Sequence, residues 1–419
     1  MPSQLSRRHA LAGGVAIAAL GACQAQSSTD APPGDAPAPD PSALHLPETT
    51  PQAQQLGAAI ADFGVALLAQ LKAGKPQATV VASPLSAAAD MLMLGEGAKG
   101  AAADALTQGL RLPPQNLTLP AACQAFANLA ARFVSSSAAT VALADGVWAD
   151  TSAGARPEYL KALGDLFAAR AATLDLASPQ ALADINRFVS DTTRGKIPTI
   201  LSQMPSPAMM VLVNALYFTG GWKDPFDAKL TQDAPFTHGD GSQANAPLMH
   251  QSGSFTYRET DTLQAVVLPY ADRRFEMRLV LEKPGAPAGS WADGFAGYDS
   301  HREGEVFLPR LDLGWGADIT GALAGVGFGP ALGASADYSA ALSAPLAGLA
   351  VVQKCVLKVD EQGAEAAAAT AVIMVGAAAP PRNPPPPFVF RADRPFHLSL
   401  VETGTGAPLI LAYVGAPGT

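Results

Sequence analysis

The chain holds few residues that could turn over a substrate, and one segment that reads as a strand not yet placed in a sheet. Its six histidines, His9, His45, His238, His250, His301 and His397, include no two at metal-ligand spacing, and no HExxH, CxxC or EF-hand loop occurs. No metal and no cofactor is expected. G-x-S-x-G, S-x-x-K and P-loop patterns are also missing, so no sequence-readable nucleophile or phosphate cradle is in view. What stands out is the stretch 359–387, VDEQGAEAAAATAVIMVGAAAPPRNPPPP. Its side chains from Ala364 to Ala371 are almost all small, no Gly or Pro interrupts 364–375, and a Pro-rich tract ends it. A strand that must slide between two paired strands needs small side chains, no Pro, and a flexible hinge where it enters, which Gly363 supplies. The alternative is an Ala-rich helix or linker, which helix propensity alone favours.

The strand that leads into this segment contains Val351, Gln353, Cys355, Leu357 and Val359 on one face by the period-two rule. Gln353 is the polar exception there. It is expected either to meet another polar side chain where the sheet opens or to lie at a frayed strand end.

These residues need a scaffold, and 419 residues with 48% hydrophobic content suffice for a substantial core. A net charge of -9 without a Lys/Arg cluster excludes nucleic acid as a partner. Arg7-Arg8 before the apolar run 10–20 predicts export, twin-arginine in type, because the run is too short to span a bilayer. Leu20-Gly21-Ala22-Cys23 is similar to the bacterial lipobox, so residues 1–23 are expected to be a signal segment with Cys23 as lipidation site. The mature protein is then periplasmic or extracellular and held to a membrane only through that lipid. Residues 24–52, rich in Pro, Ala, Ser and Asp, are expected to form a tether, with the folded domain at 53–419. Whether Cys123 and Cys355 pair stays open at this level.

Helical spacing of Leu56, Ile60, Phe63, Leu67 and Leu71 predicts a first helix, and Ser83-Pro84 predicts the start of a second. Further helices are expected near 121–134, 156–169 and 179–189. Strands are expected near 79–82, 141–148, 208–218, 263–269, 275–282, 304–310, 349–359, 396–402 and 408–414. Helices dominate the first half and strands the second, an α+β pattern.

Eight segments in order resemble signatures of the serpin family of protease inhibitors. They are SPLSAAADMLMLGEGAKG (83–100), INRFVSDTTRGKI (185–197), LVNALYFTGGWKDPF (212–226) and LMHQSGSFTY (248–257), then VFLPRLDL (306–313), ADYS (336–339), VVQKCVLKVDEQGAEAAAAT (351–370) and RADRPFHLSLVE (391–402). The resemblance implies a monomeric fold of three β-sheets with a helical N-terminal half and an exposed reactive-centre loop. It implies no catalytic residue. Instead Glu361, Gly363, Ala364, Ala366, Ala367, Ala368, Ala369 and Thr370 form the hinge of a bait loop, and the scissile bond follows Ala377, before Ala378, with Gly376 and Ala379 as close alternatives. Small residues there suit serine proteases with a shallow primary pocket, elastase-like or subtilisin-like, with cysteine proteases as a second class of target. Ser83, Ser86, Asn214, Gln353 and Trp222 correspond to the residues that control opening of the central sheet, although Ser83 could serve only as a cap and Trp222 as ordinary core. Thr79 and Gln353 replace the family's usual Asn and His, and Gln353, which cannot titrate, predicts an opening step less dependent on pH near neutrality than in a His-bearing relative. The competing expectation is a non-inhibitory member that keeps the fold as a binding or surface-interaction protein.

Overall fold

A computed structural model describes residues 47–73, 75, 78–133, 138–298, 301–364 and 385–418. Helix α1 (Pro51–Lys72) starts where the Thr50 side chain accepts a hydrogen bond from the Ala53 N–H at 3.1 Å, with Pro51 at the first helical position. Its stripe of Leu56, Ile60, Phe63 and Leu67 is buried, each side chain contributing about 1.5–3 kcal/mol. Helix α2 (Pro84–Gly95) differs in kind. Every residue from Pro84 to Leu94 is buried, so it is a central helix without a solvent face. The remaining main helices are α3 (Gly100–Gly109), α4 (Leu119–Ala130), α5 (Pro157–Phe167) and α6 (Pro179–Thr192).

The strands are β1 (Val80–Ala82), β2 (Ala139–Asp150), β3 (Arg170–Leu174), β4 (Met210–Gly221), β5 (Gln232–Thr237), β6 (Gln243–Glu259), β7 (Leu263–Pro269) and β8 (Phe275–Glu282). They continue as β9 (His301–Pro309), β10 (Leu311–Asp318), β11 (Leu349–Val359), β12 (Gly363–Ala364), β13 (Phe388–Arg391), β14 (Phe396–Glu402) and β15 (Pro408–Val414). One sheet runs β1-β15-β14-β8-β7-β6-β9-β13, with β5 also on β6, and the other β10-β11-β4-β2-β3, with β12 on β4. The α+β expectation holds. Two hydrogen-bonded sheets form among the described residues where three were expected, because the 17-residue β6 pairs with β5 and β9 and then with β7, joining what would otherwise be separate sheets.

Alternation along β4 divides the core. Leu212, Leu216 and Phe218 join the main cluster with α1 and α2, whereas Val211, Val213 and Ala215 pack with Ile185 and Val189 of α6. The six-stranded sheet is therefore covered on both faces, and its centre is the parallel pair β11–β4, in register from Leu349 opposite Met210 to Val356 opposite Tyr217.

Candidate functional site

The β11–β4 seam has two distinct polar regions. At its upper end the chain leaves β11, turns through Asp360 to Gly363, and pairs again as β12, with Gly363 opposite Gly221 and Ala364 opposite Gly220, antiparallel to β4. Gly363 has φ +144°, and a Cβ there would lie 2.0 Å from the Gly220 carbonyl oxygen, so only glycine fits. Asp360 Oδ1 holds the turn by accepting from the Gln362 and Gly363 N–H groups at 2.8 and 3.2 Å. Glu361 is buried and accepts from Arg310 Nε and Nη2 at 2.9 and 2.7 Å and from Thr231 Oγ1 at 2.5 Å. Burial opposes its ionisation, but the bonds from Arg310 and Thr231 outweigh that and hold its pKa below the ordinary glutamate value.

Trp222 closes this end. Its Nε1 donates to the Asp360 carbonyl at 3.0 Å, its backbone N–H donates to Gln362 at 2.8 Å, and its ring stacks on Tyr270. It thus holds the turn between β11 and β12, as well as filling core.

The middle of the seam lies above the start of α2. Ser83 caps the helix by accepting from the Ser86 N–H at 3.1 Å, and its hydroxyl donates to Ser86 Oγ at 3.0 Å. Gln353, fully buried in mid-strand rather than at a frayed end, clasps the Ser83 backbone: its Oε1 accepts from the N–H at 2.8 Å and its Nε2 donates to the carbonyl at 3.0 Å. Ser83 is therefore both cap and cluster member. Asn214 stands opposite Gln353 in the register but bonds elsewhere, donating from Nδ2 to Asp90 Oδ2 on α2. Across β4 from Asn214 is Asp145 of β2.

Asp90 and Asp145 were missed in the sequence, although each interrupts an apolar run, in PLSAAADMLMLG and in ATVALADGVWAD. Both are buried, and among the described residues Oδ1 of Asp90, Oδ1 of Asp145 and Oδ1 of Asn214 lack a hydrogen-bond partner. Burial raises the pKa of both carboxyls, Asp145 to about 7, and the charge of Asp145 adds to the upward shift at Asp90. Thr79 takes no part in this cluster. Its hydroxyl ties down the end of the chain, donating to the Ala416 carbonyl at 2.9 Å and accepting from the Gly415 and Ala416 N–H groups.

Cys123 and Cys355 are both buried free thiols, which answers the question of pairing. No group of three or more metal-ligating side chains occurs among the described residues. Cys23, the hinge positions Ala366, Ala367, Ala368, Ala369 and Thr370, and the bond region Gly376, Ala377, Ala378 and Ala379 lie outside the described residues.

A family model described as Serpin (serine protease inhibitor) matches residues 58–417. Iripin-2 of Ixodes ricinus is 31% identical, over 82% of this chain and 89% of its own length. Human thyroxine-binding globulin, in a complex with thyroxine, superposes with a TM-score of 0.77 at 21% identity, covering 88% of this chain and 100% of that one. Serpin48 of the insect Tenebrio molitor superposes with a TM-score of 0.75 at 22% identity, covering 87% and 98% of the two chains. At such identities the two structures speak for the fold alone.

Proposed function

The chain belongs to the serpin family of serine protease inhibitors, and on that premise we propose that it is an irreversible suicide-substrate inhibitor whose cleaved loop inserts between β11 and β4. The observation that carries this reading is β12. Two residues already pair antiparallel with β4 at the upper end, while below them β11 and β4 are bonded directly to each other. The partners in β12 and β4 sum to 584 (363 + 221, and likewise 364 + 220). Continued down the strand, that register sets Thr370 opposite Asn214 and Met374 opposite Met210, so a strand of 363–374 would match the 12 residues of β4.

Insertion would exchange one parallel pairing for two antiparallel ones, which are slightly stronger per residue. Hydrogen bonds alone do not drive it, since each contributes on the order of 0.5–1.5 kcal/mol net while ordering the backbone costs about 1–2 kcal/mol per residue. Side chains supply the surplus. Ala364 faces the main core, so by alternation Val372 and Met374 would also face it, and their burial favours the inserted state. An intact loop, tethered at both ends, cannot complete this path. Cleavage after Ala377 releases it, and the 16 positions between Glu361 and Ala377 (377 − 361) would carry an acylated protease about 50 Å at roughly 3.3 Å per residue.

Alanines on both sides of the bond support elastase-like or subtilisin-like targets, and the Pro-rich tract after it would act as a stiff spacer. The leader and Cys23 support export and lipid anchoring of a monomer in a cell envelope. Incubation with an elastase tests the main reading: a complex that survives denaturing electrophoresis is expected, with a new N-terminus at Ala378. Complete cleavage of the loop with undiminished protease activity would instead favour the binding-protein alternative.

A further inference from the structure

The amide at Gln353 does not titrate, but two other groups at the same level of the seam do. Asp90 rises from α2 beneath the sheet, Asp145 lies in β2 beside β4, and Asn214 of the seam stands between them, bonded to the first and in register with the second. Neither carboxyl has an ion-pair partner among the described residues, and each keeps one oxygen without a hydrogen bond. We propose that Asp90 and Asp145 form a proton-operated latch on the β11–β4 seam, closed while both carboxyls are neutral and opened more readily once a proton leaves. The proposal rests on the insertion mechanism above and adds its regulation.

The surroundings leave a buried anion here nowhere to turn. Ser83 and Ser86 face the site from α2, Asn214 from β4, and Gln353 and Cys355 from β11, and none of these carries a charge. The Cys355 thiol is held neutral by burial. On the other elements packed against α2, Cys123 of α4 and Tyr159 of α5 bond to the Leu92 and Met93 carbonyls, and burial raises both of their pKa values. Glu96, at the end of α2, acts on those two groups. Asp62 of α1 and Asp104 of α3 are exposed, and the Tyr413 ring of β15 lies under Lys72. Arg170 of β3, opposite Gly146 of β2, is exposed, and among the described residues no cation offsets the burial of either carboxyl. Two neighbouring buried carboxylates repel, and each needs hydration that the closed seam denies.

The sign follows from linkage. The closed state holds a proton on Asp145 up to about pH 7, whereas a hydrated carboxyl releases it near 4. The closed state therefore loses ground as pH rises from about 4 to 7, by up to about tenfold per unit in the opening equilibrium for one proton, and levels off above that range. A neutral amide at either position keeps the shape and removes the charge.

Hydrogen exchange at the 352–356 amides of the uncleaved protein, corrected for the intrinsic effect of pH on exchange, reads opening directly. Between pH 5 and 7 the wild-type opening equilibrium is expected to rise about threefold to tenfold per unit. In Asp145→Asn the rise should be smaller than in wild type, Asp90→Asn should likewise flatten the slope, and the double variant Asp90→Asn/Asp145→Asn should change less than twofold per unit. Thermal unfolding across the same range provides a second measurement, with the wild-type midpoint falling relative to Asp145→Asn as pH rises. Parallel pH profiles for wild type and both variants would overturn the latch. Such a failure is separable from failure of the inhibitory reading: a stable elastase complex with flat seam exchange removes only the latch, and pH-dependent exchange without a complex removes only the inhibitor.

Discussion

The two sheets treat buried polar groups in opposite ways. In the nine-stranded sheet β14 and β15 are buried at every residue and run antiparallel, and the charges near them are matched: Glu402 accepts from Arg132 at 2.9 Å and from Thr405 and the Gly404 N–H, and Asp272 pairs with Arg274 at 2.8 Å. The six-stranded sheet is joined at its centre by a parallel pairing and leaves acceptors of Asp90, Asp145 and Asn214 open. A sheet that stays shut satisfies its polar atoms. On the proposed insertion, the open acceptors of the other sheet are left for water or the incoming strand to satisfy, and the β12 register would bring the Thr370 hydroxyl to that level. Exceptions on the stable side are the buried Tyr270 hydroxyl and His397, which stacks on Trp291 at 4.3 Å with neither ring nitrogen hydrogen-bonded among the described residues and is held neutral by burial, with the Lys72 charge adding to the effect.

The contrast breaks most severely at the hinge. Gly363→Val would push a side chain into the Gly220 carbonyl, costing about 3 kcal/mol and displacing β12 from β4. A lower melting temperature and at least a tenfold loss of elastase complex check it, and an unaffected complex would show that β12 is not the start of insertion. Gln353→Leu should cost about 2 kcal/mol in urea unfolding, because it leaves the buried Ser83 N–H and carbonyl without partners.

Glu361→Ala should cost only about 1 kcal/mol at pH 7, since Arg310 is half-exposed and can rehydrate. Glu361 has a lowered folded pKa, so its contribution is present above the ordinary glutamate range and disappears as pH falls through the folded value. The two proteins should therefore converge in stability on acidification. His397→Leu is expected to have the smallest effect, within about 1 kcal/mol at pH 7. Below about pH 6.5 the unfolded imidazole takes up a proton that the folded one refuses, so wild type should lose more stability than the variant as pH falls from about 7 to about 5. Acid then weakens the nine-stranded sheet, while rising pH loosens the seam of the other.

Much of the scaffold was legible because its signals are local. The strands at 263–269, 275–282, 349–359, 396–402 and 408–414 lie where β-branched and apolar runs placed them, and Ser83-Pro84 starts α2 as its capping chemistry requires. β10 escaped notice because Gly314 and Gly316 dilute its pattern and alternate residues face outward at an edge. β6 escaped because its polar face obscures the period. Glu361, Gly363, Ala364 and Trp222 meet at the upper end of the seam, a contact that no local pattern displays. Thr79 does not join the sheet-opening cluster, because its hydroxyl is already engaged by the chain end.

By itself the sequence determined which segments are helix or strand, that a small-residue run follows a glycine hinge, and that the chain carries no metal-ligand or nucleophile motif, because periodicity, backbone freedom and residue chemistry act over a few neighbouring positions. Only the tertiary structure decided that Asp90 and Asp145, 55 positions apart (145 − 90), lie at one level beside Asn214, and that Gln353 clasps Ser83 across 270. Which buried polar atoms meet, and which are left without a partner, depends on how α2 packs beneath β2, β4 and β11, and no local pattern encodes that.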